Sequence, residues 1–353
     1  MSQLAFGRHL AARVVFSGIQ PTGVPHIGNY IGALKQWVDL QRDEASSTKL
    51  MYCVVDLHAI TTKQDPVQLR LRKREVLASL LAVGIDPDRS TVFYQSSVPA
   101  HSELMWILAC TASVGYLSRM TQWKTKLNIS GVSGLSDKSV GTNLKLGLFS
   151  YPVLQAADIL VHRATHVPVG DDQKQHLEFA RECVTNFNSA YGDHLVHPET
   201  ITPPAKRVMS LAQPTTKMSK SHKSDRSRIL LSDSPQEIRT KISYALTDSL
   251  PGISYDPKER PGISNLLEIC SIFDAAGRDV NNLANECADM QPRVFKEFVS
   301  DTIISGLDGV RDRYLDLMKR SDNYLAKVEE HGAERARQSA QETMDIVKSA
   351  IGF

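Results

Sequence analysis

The chain has 353 residues, of which 42% are hydrophobic and 23% are charged, and its formal net charge at pH 7 is +2. This length favours two domains over a single core, and the composition is that of an ordinary globular protein. No apolar run approaches the roughly 20 residues needed to span a bilayer, so no membrane partner is expected. Because the net charge is nearly neutral, any nucleic-acid surface would have to be a local basic patch.

The cysteines and the first residues limit the compartment. An odd number of widely spaced cysteines, without a C-x-x-C pair, argues against a disulfide framework and against a zinc site, and it favours a reducing compartment. Residues 1–13 contain Arg8, His9 and Arg13 but no acidic residue. This extension fits the remnant of a mitochondrial presequence and a short disordered start equally well.

Strand and helix patterns alternate along the first half of the chain. Strands are predicted at 13–17, 50–55, 91–94 and 165–169, and helices at 66–83, 102–111, 152–162 and 171–191. Ile27, Ile31, Leu34 and Val38 lie on one face of a further helix that follows a Gly/Pro loop. The alternation predicts an α/β fold with a doubly wound, Rossmann-like parallel sheet. Ligands in such sheets bind at the carboxyl ends of the strands, beside helix N-termini.

Two later parts of the chain depart from this alternation. Residues 128–142 form a polar, Gly/Ser-rich stretch that predicts a mobile surface loop. From about residue 261 onward, helical periodicity replaces the strand-like runs. We therefore predict an extension at 1–13, a Rossmann-like domain at 14–230 and an α-helical domain at 231–353.

Two short segments carry the chemistry. Gly28 follows His26 at a predicted helix start, where a nucleotide can approach the backbone and free N–H groups favour phosphate. His26 and Asn29 add hydrogen-bond donors for a phosphoryl oxygen. Lys217 and Lys220, on a Ser-rich loop, suit the charge that develops on a departing pyrophosphate. Each segment alone is a common loop, but their combination and order indicate ATP chemistry.

These segments resemble the two signatures of the class I aminoacyl-tRNA synthetases, H-I-G-H and K-M-S-K-S. The chain has His26-Ile27-Gly28-Asn29 and a complete Lys217-Met218-Ser219-Lys220-Ser221. Asn29 in the last position of the first signature, preceded by the segment 16–23, resembles the tryptophanyl-tRNA synthetases in particular, of the mitochondrial and bacterial type. The resemblance covers most of residues 14–270 and, more loosely, the helical remainder.

The resemblance implies catalytic residues, contacts to ATP and contacts to tryptophan. The catalytic residues would be His26, Asn29, Lys217 and Lys220. ATP would also contact Gln20, Pro21, Thr22, Gly28, Gly170, Asp171, Asp172, Val208, Met218, Ser219 and Ser221. Tryptophan would contact Phe16, Gly18, Gln20, His58, Gln122, Tyr151, Gln155, Asp158, Val169 and Gln173, with Asp158 as the acceptor of the indole N–H.

Some of these residues also have a structural interpretation. Asp158 lies on an apolar helical stretch, where a carboxylate without a partner is costly to bury, unless it faces solvent. His58 fits an ordinary core histidine equally well, so its assignment depends on the resemblance. Asp171 and Asp172 fit helix-capping residues, although the preceding Gly170 favours a ribose contact for Asp172.

The implied reaction joins L-tryptophan to ATP, releases pyrophosphate and transfers tryptophan to tRNA(Trp), with Mg²⁺ carried by ATP and pyrophosphate. The resemblance also implies a homodimer. The helical domain would reach the anticodon through Arg311, Arg313, Lys319, Arg320 and Lys327. Because acidic residues such as Asp308, Asp312 and Asp316 interleave with these, a solvated helix is the alternative.

The chain departs from the bacterial pattern in places. Gln155 stands where bacterial relatives carry Met, and the loop at 128–142 is longer than in bacterial relatives. With the acid-poor start, these features resemble the mitochondrial branch, so the mitochondrial matrix is expected, and the cytoplasm is the alternative.

Three other functions share parts of this pattern. A tyrosine-specific relative has both signatures, but the wording of residues 18–23 and Asp158 oppose it. A small adenylyltransferase lacks the complete second signature and the helical extension. A non-catalytic RNA-binding paralogue would have lost the catalytic lysines, and both are present.

Overall fold

The computed structural model describes residues 13–126, 144–170, 173–202 and 207–353. Within these ranges lie β1 (Val14–Ile19), β2 (Lys49–Val54), β3 (Thr91–Tyr94), β4 (His166–Pro168) and β5 (Glu199–Ile201). They form one parallel sheet in the order β3-β2-β1-β4-β5. The predicted doubly wound α/β fold is confirmed, and the order of the strands reverses between β1 and β4.

Helices connect the strands and then continue alone to the end of the chain. Before the last third they are α1 (Ile27–Asn29), α2 (Lys35–Asp43), α3 (Asp56–Ala59), α4 (Pro66–Ala82), α5 (Ala100–Ala109), α6 (Val114–Arg119), α7 (Gln122–Lys126), α8 (Leu146–Leu160) and α9 (Lys174–Tyr191). After them come α10 (Pro235–Ser243), α11 (Pro261–Phe273), α12 (Val280–Glu286), α13 (Pro292–Gly306), α14 (Val310–Lys319) and α15 (Tyr324–Ile351). No helix in the described part of the chain is long and apolar enough to cross a membrane.

The first helix forms as its periodicity predicts. Ile27, Ile31 and Leu34 are buried on one face. A π-helical turn at Tyr30–Leu34 joins α1 to α2 without a break. Such turns are rare and often lie at functional sites, and this one borders the cavity described below.

One helix begins well before its predicted start, and one strand of the sheet was not predicted. Helix α8 begins at Leu146, six residues before the predicted start at Pro152, which lies inside the helix. A proline commonly marks a first helical turn, but here the residues before it are already helical. Strand β5 was not predicted, because Glu199–Ile201 is a short edge strand with a partly exposed, polar sequence.

The last helix returns to the sheet. Helix α15 packs against β3 and α5. At the point of closest approach, a Cβ on Gly332 would lie 1.8 Å from the carbonyl oxygen of Val92, so only glycine fits there. Ala336, Ala340, Met344 and Val347 of α15 belong to the same buried cluster as strand residues such as Phe93. The boundary predicted at 230/231 stays a prediction.

Candidate active site

A cavity of about 380 Å³ opens where the strand order reverses, beside the carboxyl ends of β1 and β4. Parallel sheets expose backbone ends and helix N-termini at this position, which is why ligands bind there. The cavity is lined by Phe16, Ser17, Gly18, Gln20, Gly32, Ala33, Val55, His58, Gln122, Tyr151, Gln155, Asp158, Ile159, Val167, Pro168, Val169, Gly170 and Gln173. All ten residues that the sequence assigned to tryptophan are among them.

Asp158 is an ionisable residue in the wall of this cavity, and three side chains lie within hydrogen-bonding distance of its carboxylate. Its side chain is buried, which excludes the alternative of a solvent-facing helix residue. His58 lies with Nε2 2.8 Å from Oδ2. Gln95 Nε2 donates to Oδ1 at 2.6 Å, and His101 Nδ1 lies 2.7 Å from the same oxygen. Burial alone raises the pKa of Asp158, but the charge of His58 and the hydrogen bonds from His101 and His58 hold that pKa well below its usual range.

Gln95 and His101 are site residues that the sequence did not reveal. Both side chains are fully buried, although Gln95 follows β3 and His101 lies in the first turn of an apolar helix. Histidine and glutamine are usually solvated at such positions, so the sequence pattern carries no sign of their burial. The only signal is that a buried Asp158 requires donors from somewhere.

Polar side chains also line the side of the cavity towards α9. Tyr151 donates its hydroxyl hydrogen to Gln122 Oε1 at 3.0 Å, and its oxygen lies 2.8 Å from His176 Nε2. Gln155 Nε2 donates to Gln173 Oε1 at 3.1 Å. The cavity therefore has an aromatic wall at Phe16 and polar side chains whose orientations are set by their hydrogen bonds.

His26 and Asn29 build the start of α1 as a capping box. The backbone N–H of Asn29 donates to His26 Nδ1, and the backbone N–H of His26 donates to Asn29 Oδ1, both at 3.2 Å. A Cβ on Gly28 would lie 2.9 Å from His26 Nδ1, so glycine is required to seat the ring. Gly28 is therefore needed because it leaves room for the ring of His26.

The same geometry fixes the protonation of His26. Burial, followed by the positive charges of Lys220, Arg228 and Lys217, lowers the pKa of His26 to about 4, so the ring is neutral at pH 7. Because Nδ1 accepts a hydrogen bond, the single N–H lies on Nε2. Arg228 is a further cation near this helix start that the sequence analysis missed.

Backbone bonds hold the segment that follows the second signature against the first signature. Ile27 N donates to the carbonyl oxygen of Ile229, and Leu231 N donates to that of Pro25, both at 2.9 Å. Within the loop, Met218 is buried, and its N–H donates to Val208 at 3.0 Å. The segment 229–231 is therefore bonded to the start of the first signature, and Met218 is bonded to Val208.

Asn265 braces this loop from helix α11. Its Oδ1 accepts from Met209 N at 2.9 Å, and its Nδ2 donates to the carbonyl oxygen of Met209 at 3.1 Å. The side chain is buried, so the amide replaces a missing strand partner for Met209. Asn265 thereby ties helix α11 to the segment that precedes the second signature.

Lys220 reaches across to the loop after β1. Its Nζ donates to the carbonyl oxygens of Gly23 and Thr22 at 2.7 and 3.0 Å, and to Thr22 Oγ1 at 3.2 Å. Burial lowers the pKa of Lys220 to about 8, with Glu75 opposing the shift and Arg228 and Arg72 adding to it. Lys217, by contrast, is exposed.

Some predicted residues fall outside the description of the structure. Asp171 and Asp172, the loop at 128–142 and residues 1–12 of the extension lie outside the described residues. Gly170, which precedes Asp171 and was assigned to ATP, lies within the described residues and lines the cavity.

Three of the basic residues predicted to reach the anticodon make contacts within the chain. Arg311 Nε donates to the carbonyl oxygen of Ser232 at 3.1 Å, and Arg313 Nε donates to that of Ala82 at 2.8 Å. Arg320 pairs with Asp322. Arg311 and Arg313 thereby tie α14 to distant segments, whereas the Arg320 pair is local to the turn after α14.

Comparison with known proteins identifies the family of this chain. The family model described as tRNA synthetases class I (W and Y) matches residues 11–308. The mitochondrial tryptophan–tRNA ligase of Schizosaccharomyces pombe is 46% identical, with 96% of this chain and 95% of that protein covered. The tryptophan–tRNA ligase of Caldanaerobacter subterraneus is 43% identical, with 96% and 98% covered.

A solved structure is similar over nearly the whole chain. The tryptophanyl-tRNA synthetase of Campylobacter jejuni, complexed with ADP and tryptophan, is 32% identical with a TM-score of 0.78, and 97% of this chain and 100% of that chain are covered. The chain therefore belongs to the class I tRNA synthetases and, within them, to the tryptophanyl-tRNA synthetases, which are tryptophan–tRNA ligases.

Proposed function

We propose that this protein activates L-tryptophan with ATP at the cavity between β1 and β4 and then transfers it to tRNA(Trp). The observation that carries this proposal is the buried carboxylate of Asp158 in the cavity wall. The relatives named as tryptophan–tRNA ligases and the neighbouring structure with ADP and tryptophan support the same substrates.

Asp158 has room for one more donor. A carboxylate offers about four acceptor positions. Gln95 and His101 occupy two positions on Oδ1, and His58 occupies one on Oδ2. The remaining position on Oδ2 suits the indole N–H of tryptophan. An amino acid without that N–H would leave the acceptor unpaired, and such a mismatch is rejected far more strongly than a small difference in shape.

The residues around α1 would act on the α-phosphate of ATP. The carboxylate of tryptophan attacks this phosphorus in line, the bond to the bridging oxygen breaks, and pyrophosphate leaves with the electron pair. No general base is needed, because the attacking carboxylate is already ionised. The Nε2–H of His26 and the amide of Asn29 would donate to the phosphoryl oxygens, and Lys217 and Lys220 would stabilise the leaving pyrophosphate.

The other nucleotide contacts are proposed on position and resemblance. Gln20, Pro21 and Thr22 form the loop between β1 and α1, and Lys220 already binds that loop. Gly170 lies in the cavity wall. The remaining members of the set are Asp171, Asp172, Val208, Met218, Ser219 and Ser221, with Asp172 proposed for the ribose.

We propose that Mg²⁺ enters with ATP and leaves with pyrophosphate. Among the described residues there is no group of three His, Cys, Asp or Glu side chains that could hold a metal ion. Mg²⁺ commonly keeps its waters and binds through substrate phosphates. When bound, it would neutralise charge on the phosphates, while the protein supplies His26, Lys217 and Lys220.

The α-helical part of the chain, 231–353, is proposed to bind the anticodon region of tRNA(Trp). Lys319 is exposed, as are several basic residues of α15. Because Arg311, Arg313 and Arg320 have partners within the chain, Lys319 and Lys327 are the better candidates for RNA contacts.

A second copy of the chain is the proposed partner in a homodimer. Helices α5 and α6 both pack on α8. Each of these neighbouring helices carries an apolar side chain that is mostly exposed: Trp106 at 72%, Val114 at 61% and Leu146 at 78%. Isolated apolar side chains are ordinary, but three on adjacent helices favour a covered surface. Sedimentation of the wild type and of Trp106→Glu tests this, because the variant should be monomeric.

The mitochondrial matrix is the proposed location. The similarity to the mitochondrial ligase of Schizosaccharomyces pombe supports it, and the similarity to a bacterial ligase fits the same origin. Imaging of the tagged protein beside a matrix marker tests this, and a cytoplasmic signal would contradict it.

The activity is tested by ATP–pyrophosphate exchange with each proteinogenic amino acid in turn. We expect exchange with tryptophan and little with tyrosine or phenylalanine. A transfer assay with tRNA(Trp) and tRNA(Tyr) then tests the second step. Preferential exchange with tyrosine would contradict the proposal.

A further inference from the structure

The buried polar groups around Asp158 continue beyond the substrate cavity. His162 is buried, and its Nε2 lies 3.2 Å from Nε2 of His101. On its other side, His162 Nδ1 lies 3.3 Å from the hydroxyl of Ser339, on the last helix. A connected row of polar groups thus runs from Ser339 through two imidazoles to Oδ1 of Asp158.

The protonation states of these groups determine which group donates each hydrogen bond along the row. Burial lowers the pKa of His162 well below its usual range, so its ring is neutral and carries one N–H. If the Ser339 hydroxyl donates to Nδ1, that N–H lies on Nε2 and donates to His101 Nε2. His101 must then carry its own N–H on Nδ1, where it donates to Asp158. The reverse direction would require His101 to be protonated on both nitrogens, which adds a buried charge.

Aromatic contacts hold the outer imidazole in place. The ring of His162 stacks on Phe16 with centroids 5.9 Å apart, and it meets Phe93 edge-on at 5.5 Å. Phe16 itself lines the cavity. Because the ring is packed on both sides, its nitrogens have little freedom to turn away from His101 and Ser339.

We propose that His101 and His162 are positioning residues for tryptophan recognition. His101, together with Gln95, saturates Oδ1 of Asp158, while His162 and Ser339 orient His101, and the remaining position on Oδ2 is left for the indole N–H. His162 sets the tautomer of His101, since each imidazole nitrogen is defined by the bond that the other makes. This inference rests on the proposed role of Asp158 in the activation of tryptophan.

The kinetic test compares tryptophan with an analogue in which sulfur replaces the ring nitrogen. His162→Phe keeps the aromatic packing but removes the donor to His101. We expect kcat/KM for tryptophan in ATP–pyrophosphate exchange to fall about three- to tenfold, mainly through KM, which is the usual effect of one lost hydrogen bond. The analogue should change less than about twofold, because it makes no bond to Oδ2.

His162→Gln is the matched variant, because its amide can still donate to His101. It should recover most of the preference for tryptophan over the analogue. A purely structural role for His162 predicts instead that both substrates lose activity equally in His162→Phe, and this outcome would overturn the proposal.

Asp158→Asn, measured alongside, distinguishes a failure of the positioning role of His162 from a failure of the proposed role of Asp158. If Asp158→Asn is selective for tryptophan and His162→Phe is not, the positioning role fails while the proposed function stands. If Asp158→Asn is not selective either, the proposed role of Asp158 fails as well, and the positioning role falls with it.

A measurement on the unmodified protein does not depend on whether the variants fold. Long-range ¹H–¹⁵N correlation spectra of protein labelled with ¹⁵N-histidine report which ring nitrogen carries hydrogen. We expect His101 as the Nδ1–H tautomer and His162 as the neutral Nε2–H tautomer. His101 protonated only on Nε2, or a doubly protonated His162, would contradict the proposed direction.

Discussion

The ammonium group of Lys220 lies 2.7 Å from the carbonyl oxygen of Gly23, although the two residues are 197 positions apart. This bond joins the second signature to the loop that precedes the first. In this arrangement Lys220 rests on backbone carbonyls, close to His26 at the start of α1. A lysine held this way can exchange a carbonyl for a phosphate oxygen without a large movement of the main chain.

Lys220→Ala should slow the formation of tryptophanyl-adenylate. Because the charge that Lys220 would meet develops in the transition state, the expected loss in the rate of exchange is on the order of 10²–10³. The KM for tryptophan should change little. Steady-state ATP–pyrophosphate exchange measures both quantities.

Lys223→Ala is the matched control, since Lys223 is an exposed lysine of the same loop. It should retain nearly the wild-type rate. Unchanged exchange in Lys220→Ala, or an equal loss in both variants, would remove the assigned role from Lys220.

The lowered pKa of Lys220 predicts an alkaline limit to activity. A lysine whose pKa is about 8 loses its positive charge as the pH rises through that value. With tryptophan saturating, kcat/KM for ATP reports the ionisation of the enzyme before ATP binds, and it should fall above about pH 8. In Lys220→Arg, whose guanidinium stays charged, the residual activity should lack this fall. The same alkaline limb in both proteins would assign it to another group.

Gly28→Ala should disable the start of α1 without unfolding the protein. The added Cβ would lie 2.9 Å from His26 Nδ1, so the ring must move away from its bond with Asn29. We expect exchange activity to fall at least about tenfold, by analogy with a displaced transition-state donor. Gly147→Ala is the control, because no atom of the described residues lies within 4 Å of its added Cβ. Full activity in Gly28→Ala would show that the position of the ring does not matter.

Gly332→Ala should destabilise the packing of the last helix on the sheet. Its Cβ would lie 1.8 Å from the carbonyl oxygen of Val92, and backbone must shift to relieve that contact. Overpacking of this kind typically costs about 1–3 kcal/mol of the free energy of unfolding. Glu334→Ala, at an exposed position of the same helix, should stay within about 0.5 kcal/mol of the wild type. Denaturant unfolding monitored by circular dichroism compares the two, and equal stability would contradict the contact.

The sequence predicts the sheet and most of the cavity because these depend on local signals. Short apolar runs, turn residues and helical periodicity indicate the first strands and helices, and the two signatures indicate where ATP chemistry occurs. The structure brings the residues assigned to tryptophan around one cavity, with Phe16 at one wall and Asp158 buried in another. Their roles in binding stay predictions.

The remainder depends on contacts between distant segments, which leave no mark on local patterns. His101 and Gln95 bond to Asp158 only because α5 and the end of β3 pack beside α8. The packing of α15 on β3 depends on Gly332. In the sequence this residue is only a glycine inside a helix, which ordinarily weakens the helix. Arg313 looks available for RNA in the sequence, yet its guanidinium is bonded to Ala82.

Asp158→Asn tests the central assignment most directly. The substitution keeps size and shape but replaces a charged acceptor with an amide. A charge-assisted hydrogen bond is worth roughly 1.5–3 kcal/mol, so kcat/KM for tryptophan in exchange should fall about ten- to a hundredfold. The analogue with sulfur in place of the ring nitrogen should lose much less. Equal losses for both substrates would contradict the account, and the determinant of specificity would then have to lie elsewhere in the cavity, at Gln122, Tyr151 or Gln173.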